Sequence, residues 1–129
     1  MRVLLAEGEP DERHRLRKVI RGSGHKLISV PDGDAAWRVF ESKGPFGCAL
    51  LDFSMPGLSG LEILRKAAER GCSCERTLFL LTARHFPPDV PPQVRALGGD
   101  IFQKPLDSQT LLFRLRPGRQ WALPGQSER

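Results

Sequence analysis

Leu50-Leu51-Asp52-Phe53-Ser54-Met55-Pro56-Gly57-Leu58-Ser59-Gly60 is the stretch that decides the fold. The run Cys48-Ala49-Leu50-Leu51 is short and wholly apolar, the pattern of a buried strand. It ends on Asp52, a carboxylate at the junction of strand and loop. Pro56, Gly57 and Gly60 mark that loop as a turn. Ser59 and Glu62 have capping-box spacing, so a helix starts there. A carboxylate at the carboxyl end of a parallel strand sits where ligands bind in open α/β sheets. Asp52 alone is more often a turn former than a nucleophile, so the other strand ends carry the argument.

Upstream, Val3-Leu4-Leu5-Ala6 is a fully apolar strand followed by Glu7-Gly8-Glu9. Pro10 suits a first helical position, with Asp11 and Glu12 complementing the helix dipole and Leu16, Val19 and Ile20 as a buried stripe. Gly22 and Gly24 stop that helix. Leu27-Ile28-Ser29-Val30 is a second strand, and the helix begun at Asp32-Gly33-Asp34 buries Ala35, Ala36, Val39 and Phe40. Trp37, in a polar pattern, is expected to be partly exposed.

Downstream of the central loop, the helix buries Leu61, Leu64, Ala67 and Ala68, and Gly71 closes it. Thr77-Leu78-Phe79-Leu80-Leu81 is a fourth strand, apolar enough to be covered on both faces. Residues 84–92 hold four prolines, so any helix there is short, about residues 92–97, with Gly98-Gly99 as its stop. Residues 86–92 are expected to be the most mobile ordered part, because prolines remove backbone donors. Ile101-Phe102-Gln103 is a brief fifth strand, and Asp107 or Ser108 caps a last helix through Leu111, Leu112 and Leu115. Strands alternating with helices predict a five-stranded parallel sheet, doubly wound with helices on both faces, an α/β fold. Residues 1–116 form that domain; 117–129 lack periodicity and read as a mobile tail, either the start of a linker or a peptide packing through Trp121.

Composition sets the bounds. The 129 residues suffice for one domain with a single core, and 40% hydrophobic and 27% charged content fit an ordinary globular chain. No apolar run approaches the ~20 residues of a membrane span, and Glu7 interrupts any signal-peptide pattern, so the expected setting is the cytoplasm. Three cysteines, Cys48, Cys72 and Cys74, argue against a disulfide framework. Cys72-Ser73-Cys74 lacks a second ligand pair at metal spacing and reads as two loop thiols. The net charge of +5 is concentrated in Arg13-His14-Arg15-Leu16-Arg17-Lys18, continuing to Arg21 and Lys26. That run is a solvated helix face or a docking face for an acidic protein. It is a poorer fit to nucleic acid, because no aromatics interleave. His14, His25 and His85 read as surface or loop residues.

The strand ends bring Glu7, Asp52, Thr82 and Lys104 to one sheet edge. Carboxylates there suit a hard divalent cation such as Mg²⁺, which keeps waters and meets a phosphate. A metal and a lysine neutralise charge on a transferring phosphoryl group, and a carboxylate can itself be the nucleophile.

With these residues in place, the chain from about residue 2 to residue 115 resembles the response-regulator receiver domains of two-component signalling. The resemblance is carried by Asp52, by Met55-Pro56-Gly57-Leu58-Ser59-Gly60, by Thr82-Ala83 and by Lys104-Pro105. It implies a flavodoxin-like sheet of strand order 2-1-3-4-5 and a lysine–proline bond that is usually cis. It implies Asp52 as phosphoacceptor, Lys104 and Thr82 on the phosphoryl group, and Mg²⁺ held by Asp52, Glu7 and the Ser54 backbone carbonyl, with Glu9 as a further candidate. Phe102 takes the place of the family's switch aromatic and is equally read as core. Two departures are expected to matter. Gly8 stands where the family carries a second acid, and the proline-rich stretch replaces much of the fourth helix.

With no second domain legible in the 129 residues, the expectation is a stand-alone receiver, and the resemblance implies phosphorylation by a histidine kinase or phosphotransfer protein and a switched contact with a downstream protein. It implies a phosphoacceptor rather than an enzyme, with at most self-catalysed phosphotransfer and dephosphorylation. The alternative is a pseudo-receiver that works by binding alone because Gly8 replaces a metal-binding acid.

Overall fold

The computed structural model describes residues 1–71 and 77–116. Along the chain, β1 (Arg2–Ala6), α1 (Pro10–Gly22), β2 (Lys26–Val30), α2 (Gly33–Lys43), β3 (Cys48–Asp52), α3 (Gly60–Glu69), β4 (Leu78–Ala83), α4 (Val90–Ala96), β5 (Asp100–Gln103) and α5 (Ser108–Arg114) alternate without exception. The sheet has five strands in the order β2-β1-β3-β4-β5, every pairing parallel. This is the expected flavodoxin-like arrangement.

The alternation of side chains along each strand builds two cores. Val3, Leu5, Leu50 and Leu80 face one side and pack with Leu16 and Ile20 of α1 and Leu111 of α5. Leu4, Ala6, Leu51 and Leu81 face the other and pack with Phe40 of α2, Leu64 of α3 and Val94 of α4. The three central strands are therefore covered on both faces, which is why they read as unbroken apolar runs.

The helix ends follow their chemistry. Asp32 accepts from the Ala35 N–H at 2.8 Å, and Asp107 accepts from the Thr110 N–H at 2.9 Å, which decides between the two cap candidates for α5. Ser59 and Glu62 form the expected reciprocal capping box, at 3.1 and 2.8 Å. Glu9 precedes α1 without a side-chain cap bond, so helix capping does not account for it.

Several expectations are corrected. Thr77 lies just before β4, where its hydroxyl donates to the Phe46 carbonyl at 2.8 Å rather than joining the ladder. Helix α4 begins at Val90, two residues before the expected start. Pro91 and Pro92 fall in its first turn, where a missing N–H costs no intrahelical bond. Val90 and Val94 are buried, and Phe86 packs on Phe53 with ring centroids 5.8 Å apart. Val19, Ala35, Val39, Ala68 and Leu112 are half-buried at the flanks of their stripes, whereas Ile63 is fully buried. Trp37 is half-buried, in line with the expected partial exposure, and is stacked on Phe40 at 5.7 Å. The loop thiols Cys72 and Cys74 and the tail 117–129 with Trp121 lie outside the described residues; Cys48 is fully buried.

Candidate functional site

The carboxyl ends of β1, β3, β4 and β5 meet at one edge of the sheet. β3 and β4 run in a register that sets Asp52 opposite Thr82, and β4 and β5 set Thr82 opposite Phe102. Backbone bonds extend this order beyond the strands. The Phe53 N–H donates to the Thr82 carbonyl at 2.7 Å, and the Lys104 N–H donates to the Ala83 carbonyl at 2.8 Å. The Lys104–Pro105 bond is cis.

These placements open a cleft of about 680 Å³ lined by Glu7, Gly8, Glu9, Asp52, Ser54 and Lys104. The expected residues therefore converge, with one difference. Thr82 is 2% exposed and does not line the cleft, while Arg84, His85 and Pro87 complete its far wall. Those three were not singled out as site residues. Their position directly after a strand ending at the same edge is the signal that could have found them. Phe102 is half-buried against the α1–α5 core, beside Thr82.

Charge governs the cleft. The Lys104 ammonium lies 3.0 Å from Glu7 Oε1 and 3.4 Å from Asp52 Oδ2. Glu7 also accepts from the Glu9 N–H at 3.1 Å, and Asp52 accepts from the Ser54 N–H at 3.3 Å. Burial pushes Glu7 above the usual carboxylate range, opposed by the Lys104 and Glu9 hydrogen bonds and reinforced by Asp52. Burial alone would lower Lys104, but Glu7 and Asp52 outweigh it and hold the ammonium above the ordinary lysine value. The cleft is thus an acidic pair bridged by one cation and open to solvent.

The donor set is hard. Glu7 and Asp52 are carboxylates, Ser54 lines the same cleft, and Glu9 stands exposed at the rim. Mg²⁺ characteristically takes one or two carboxylates and keeps several waters, so these residues fit it. Among the described residues, no group of three or more His, Cys, Asp or Glu side chains gathers as a metal site. Gly8 lines the same cleft and brings no side chain to it. Again among the described residues, no helix is long and apolar enough to cross a membrane.

Comparison with known proteins agrees with this geometry. The family model of the response regulator receiver domain matches residues 3–116. The transcriptional regulatory protein TctD of Salmonella typhimurium is 34% identical over 116 residues, covering 90% of this chain and 50% of TctD. The response regulator RppA of Synechocystis is 34% identical over 117 residues, covering 90% of this chain and 49% of RppA. The chain thus spans about half the length of these curated relatives. Among solved structures, the receiver domain of the Francisella response regulator 1452 superposes with a TM-score of 0.78 at 16% identity, covering 88% of this chain and 92% of that one. The Vibrio cholerae chemotaxis protein CheY4 superposes at 0.77 with 21% identity, covering 88% and 94%. A parallel sheet in the order 2-1-3-4-5 carries Asp52 and Lys104 to one edge, and the family model covers nearly all the described residues. The chain belongs to the response regulator receiver domains, the phosphoacceptor modules of two-component signalling.

Proposed function

We propose that Asp52 accepts a phosphoryl group from a phosphohistidine of a histidine kinase or phosphotransfer protein in the cytoplasm, and that this switches a protein–protein contact made by the receiver. The observation that carries this reading is the pairing of Asp52 with Lys104 at 3.4 Å inside a cleft open to solvent. An Asp52 carboxylate oxygen forms the new bond to phosphorus as the phosphorus–nitrogen bond breaks, and the departing imidazole takes up a proton. Lys104 neutralises charge on the transferring group. Thr82 then donates its hydroxyl to a phosphoryl oxygen, which requires the loop after β4 to shift, because Thr82 is covered in the present state. Phe102, its neighbour in register, is the side chain positioned to feel that shift.

Asp52, Glu7 and the Ser54 carbonyl would hold Mg²⁺, with Glu9 as the alternative arm. When bound, the ion supplies further neutralisation of phosphoryl charge. Gly8 favours a second reading, a receiver-fold interaction module that works without phosphorylation. Incubation with acetyl phosphate and Mg²⁺, followed by intact mass measurement, separates the two. The first reading expects a gain of one phosphoryl group that Asp52→Asn abolishes. An unlabelled parent would establish the binding module instead, and equal labelling of the variant would remove Asp52 from its role.

A further inference from the structure

Gln103 closes β5 at the sheet edge where Asp52 and Thr82 stand, yet it does not line the cleft. It pairs with Ala83 across the β4–β5 ladder. Side chains alternate along a strand, so Gln103 leaves Phe102 on the α1–α5 side and shares the α2–α4 side with Ile101. From there its amide Nε2 donates to the Arg84 backbone carbonyl at 2.8 Å, one residue beyond its own partner in the ladder. A carbonyl only accepts, so the nitrogen is the end of the amide that must face it.

Arg84 opens the loop between β4 and α4, and it lines the cleft with His85 and Pro87. Among the described residues, no other hydrogen bond reaches the backbone of residues 84–86. Pro87 and Pro88 bring no donors. The next backbone tie is the Val90 N–H on the Pro87 carbonyl, at 2.9 Å. Phe86 adds a ring contact with Phe53. One side-chain bond, from Gln103, therefore fastens the start of this loop to the sheet.

We propose that Gln103 is a positioning residue for phosphoryl transfer, a role that rests on the phosphoacceptor reading of Asp52. Its bond to the Arg84 carbonyl holds the loop after β4 on the path that covers Thr82, and so restrains phosphorylation. Thr82 is 2% exposed, and its hydroxyl reaches a phosphoryl oxygen only when the loop leaves that path. Gln103 does not follow the loop. Its backbone is paired with Ala83, and the next residue, Lys104, is held at the cleft by Glu7 and Asp52. Movement of the loop therefore parts the Arg84 carbonyl from the Gln103 amide. The bond is open to water, so its loss is that of one net hydrogen bond, about fivefold in the equilibrium between the two paths. Each step that needs the shifted path is slowed by that factor, because only the competent fraction reacts.

Two variants of the full chain separate the lost donor from lost bulk. Gln103→Leu keeps most of the side chain without a donor, and Gln103→Lys keeps a donor at its tip. In nitrogen-15-labelled protein, relaxation dispersion at the amides of residues 84–86 reads the shifted path with neither metal nor phosphodonor present. Its population should rise about fivefold in Gln103→Leu and stay near the parental level in Gln103→Lys. Acetyl phosphate with Mg²⁺, followed by intact mass, should label Asp52 about fivefold faster in Gln103→Leu than in the parent. Amide spectra unchanged from Leu78 to Leu81 show that the sheet is intact. Equal loop exchange in parent and Gln103→Leu overturns the proposal, as does labelling that is unchanged or slower in that variant. A lysine variant with the exchange of the leucine one overturns it too, since the donor would then not be the cause. A parent that takes no label, with loop exchange raised in Gln103→Leu, would remove phosphotransfer to Asp52 and uphold the hold of Gln103 on the loop.

Discussion

Lys104 holds its ammonium 3.0 Å from Glu7, across a sequence separation of 97 residues, while standing 3.4 Å from Asp52. Two carboxylates from different strand ends thus share one cation. The side chains of Lys104, Glu7 and Asp52 are 11%, 2% and 9% exposed, so water screens the cluster weakly. Removing one partner of such a pair leaves uncompensated buried charge, a loss of about 3 kcal/mol at the lower end of measured cases. Lys104→Met should therefore destabilise the metal-free protein by about that much in urea unfolding. Adding Glu7→Gln to it should restore most of the loss, since only one acid then remains. A double variant as unstable as Lys104→Met alone would show that like-charge repulsion is not the cause.

The same cluster sets a pH dependence. Burial raises Glu7 above 4.5, with Asp52 adding to the rise, so the folded protein binds the Glu7 proton more tightly than the unfolded chain does. Stability from this proton is fully present below 4.5 and is lost as pH rises through the folded value. The stability of the parent relative to Glu7→Gln should therefore climb as pH falls from 7 toward 4.5, then level off. Lys104 does not blur this window, because its own raised value places its titration above 10.5. Saturating Mg²⁺ should flatten the climb, because the ion prefers the ionised carboxylate. A difference curve without slope between those limits would contradict the assignment.

The sheet was legible because its signals are local. Leu50-Leu51-Asp52 and Leu78 to Leu81 are apolar runs that only a doubly covered strand tolerates, and each ends on a polar residue. Ser59 and Glu62 announced their helix through backbone chemistry that needs no tertiary contact. What stayed hidden depends on distant neighbours. Thr77 looks like strand until the Phe46 carbonyl is placed beside it. Val90 looks like loop among prolines until its packing on the α2–α4 side of the sheet is seen. The covering of Thr82 and the entry of Arg84 and His85 into the cleft are properties of loop path, which no periodicity records.

Gly33 supplies a test of what holds the Asp52 loop in place. Its N–H donates to the Pro56 carbonyl at 2.9 Å, and a Cβ there would lie 1.7 Å from the Leu58 carbonyl oxygen. No side chain can be accommodated without moving the loop backbone. Gly33→Ala should cost about 3 kcal/mol, the upper range for overpacking. It should also shift the amide resonances of Ser54 and Gly57, which lie along the displaced loop. An alanine variant with parental stability would mean that the loop is held from elsewhere.

Gly8 is the counter-case, a glycine with room for a side chain. A Cβ built on it meets Met55, Pro31 and Pro56 atoms at 3.7 Å, ordinary contact distance. Gly8 also lines the cleft beside Glu7 and Asp52, so an acid placed there enters the same pocket. A hard divalent cation gains affinity with each carboxylate, because charge attraction and ligand number rise together. Gly8→Asp should tighten Mg²⁺ about tenfold, or about 1.4 kcal/mol, and speed labelling of Asp52 by acetyl phosphate. Without metal it should lose about 1 kcal/mol, since a third acid would join two that Lys104 alone bridges. Addition of Mg²⁺ should reverse that loss and raise stability by about 2.7 kcal/mol at a hundredfold excess over Kd. Calorimetric titration of parent and variant compares the affinities directly. Equal values would mean that Glu7 or Glu9 already supplies the ligand through its longer arm, and that the glycine does not weaken the parent's hold on Mg²⁺.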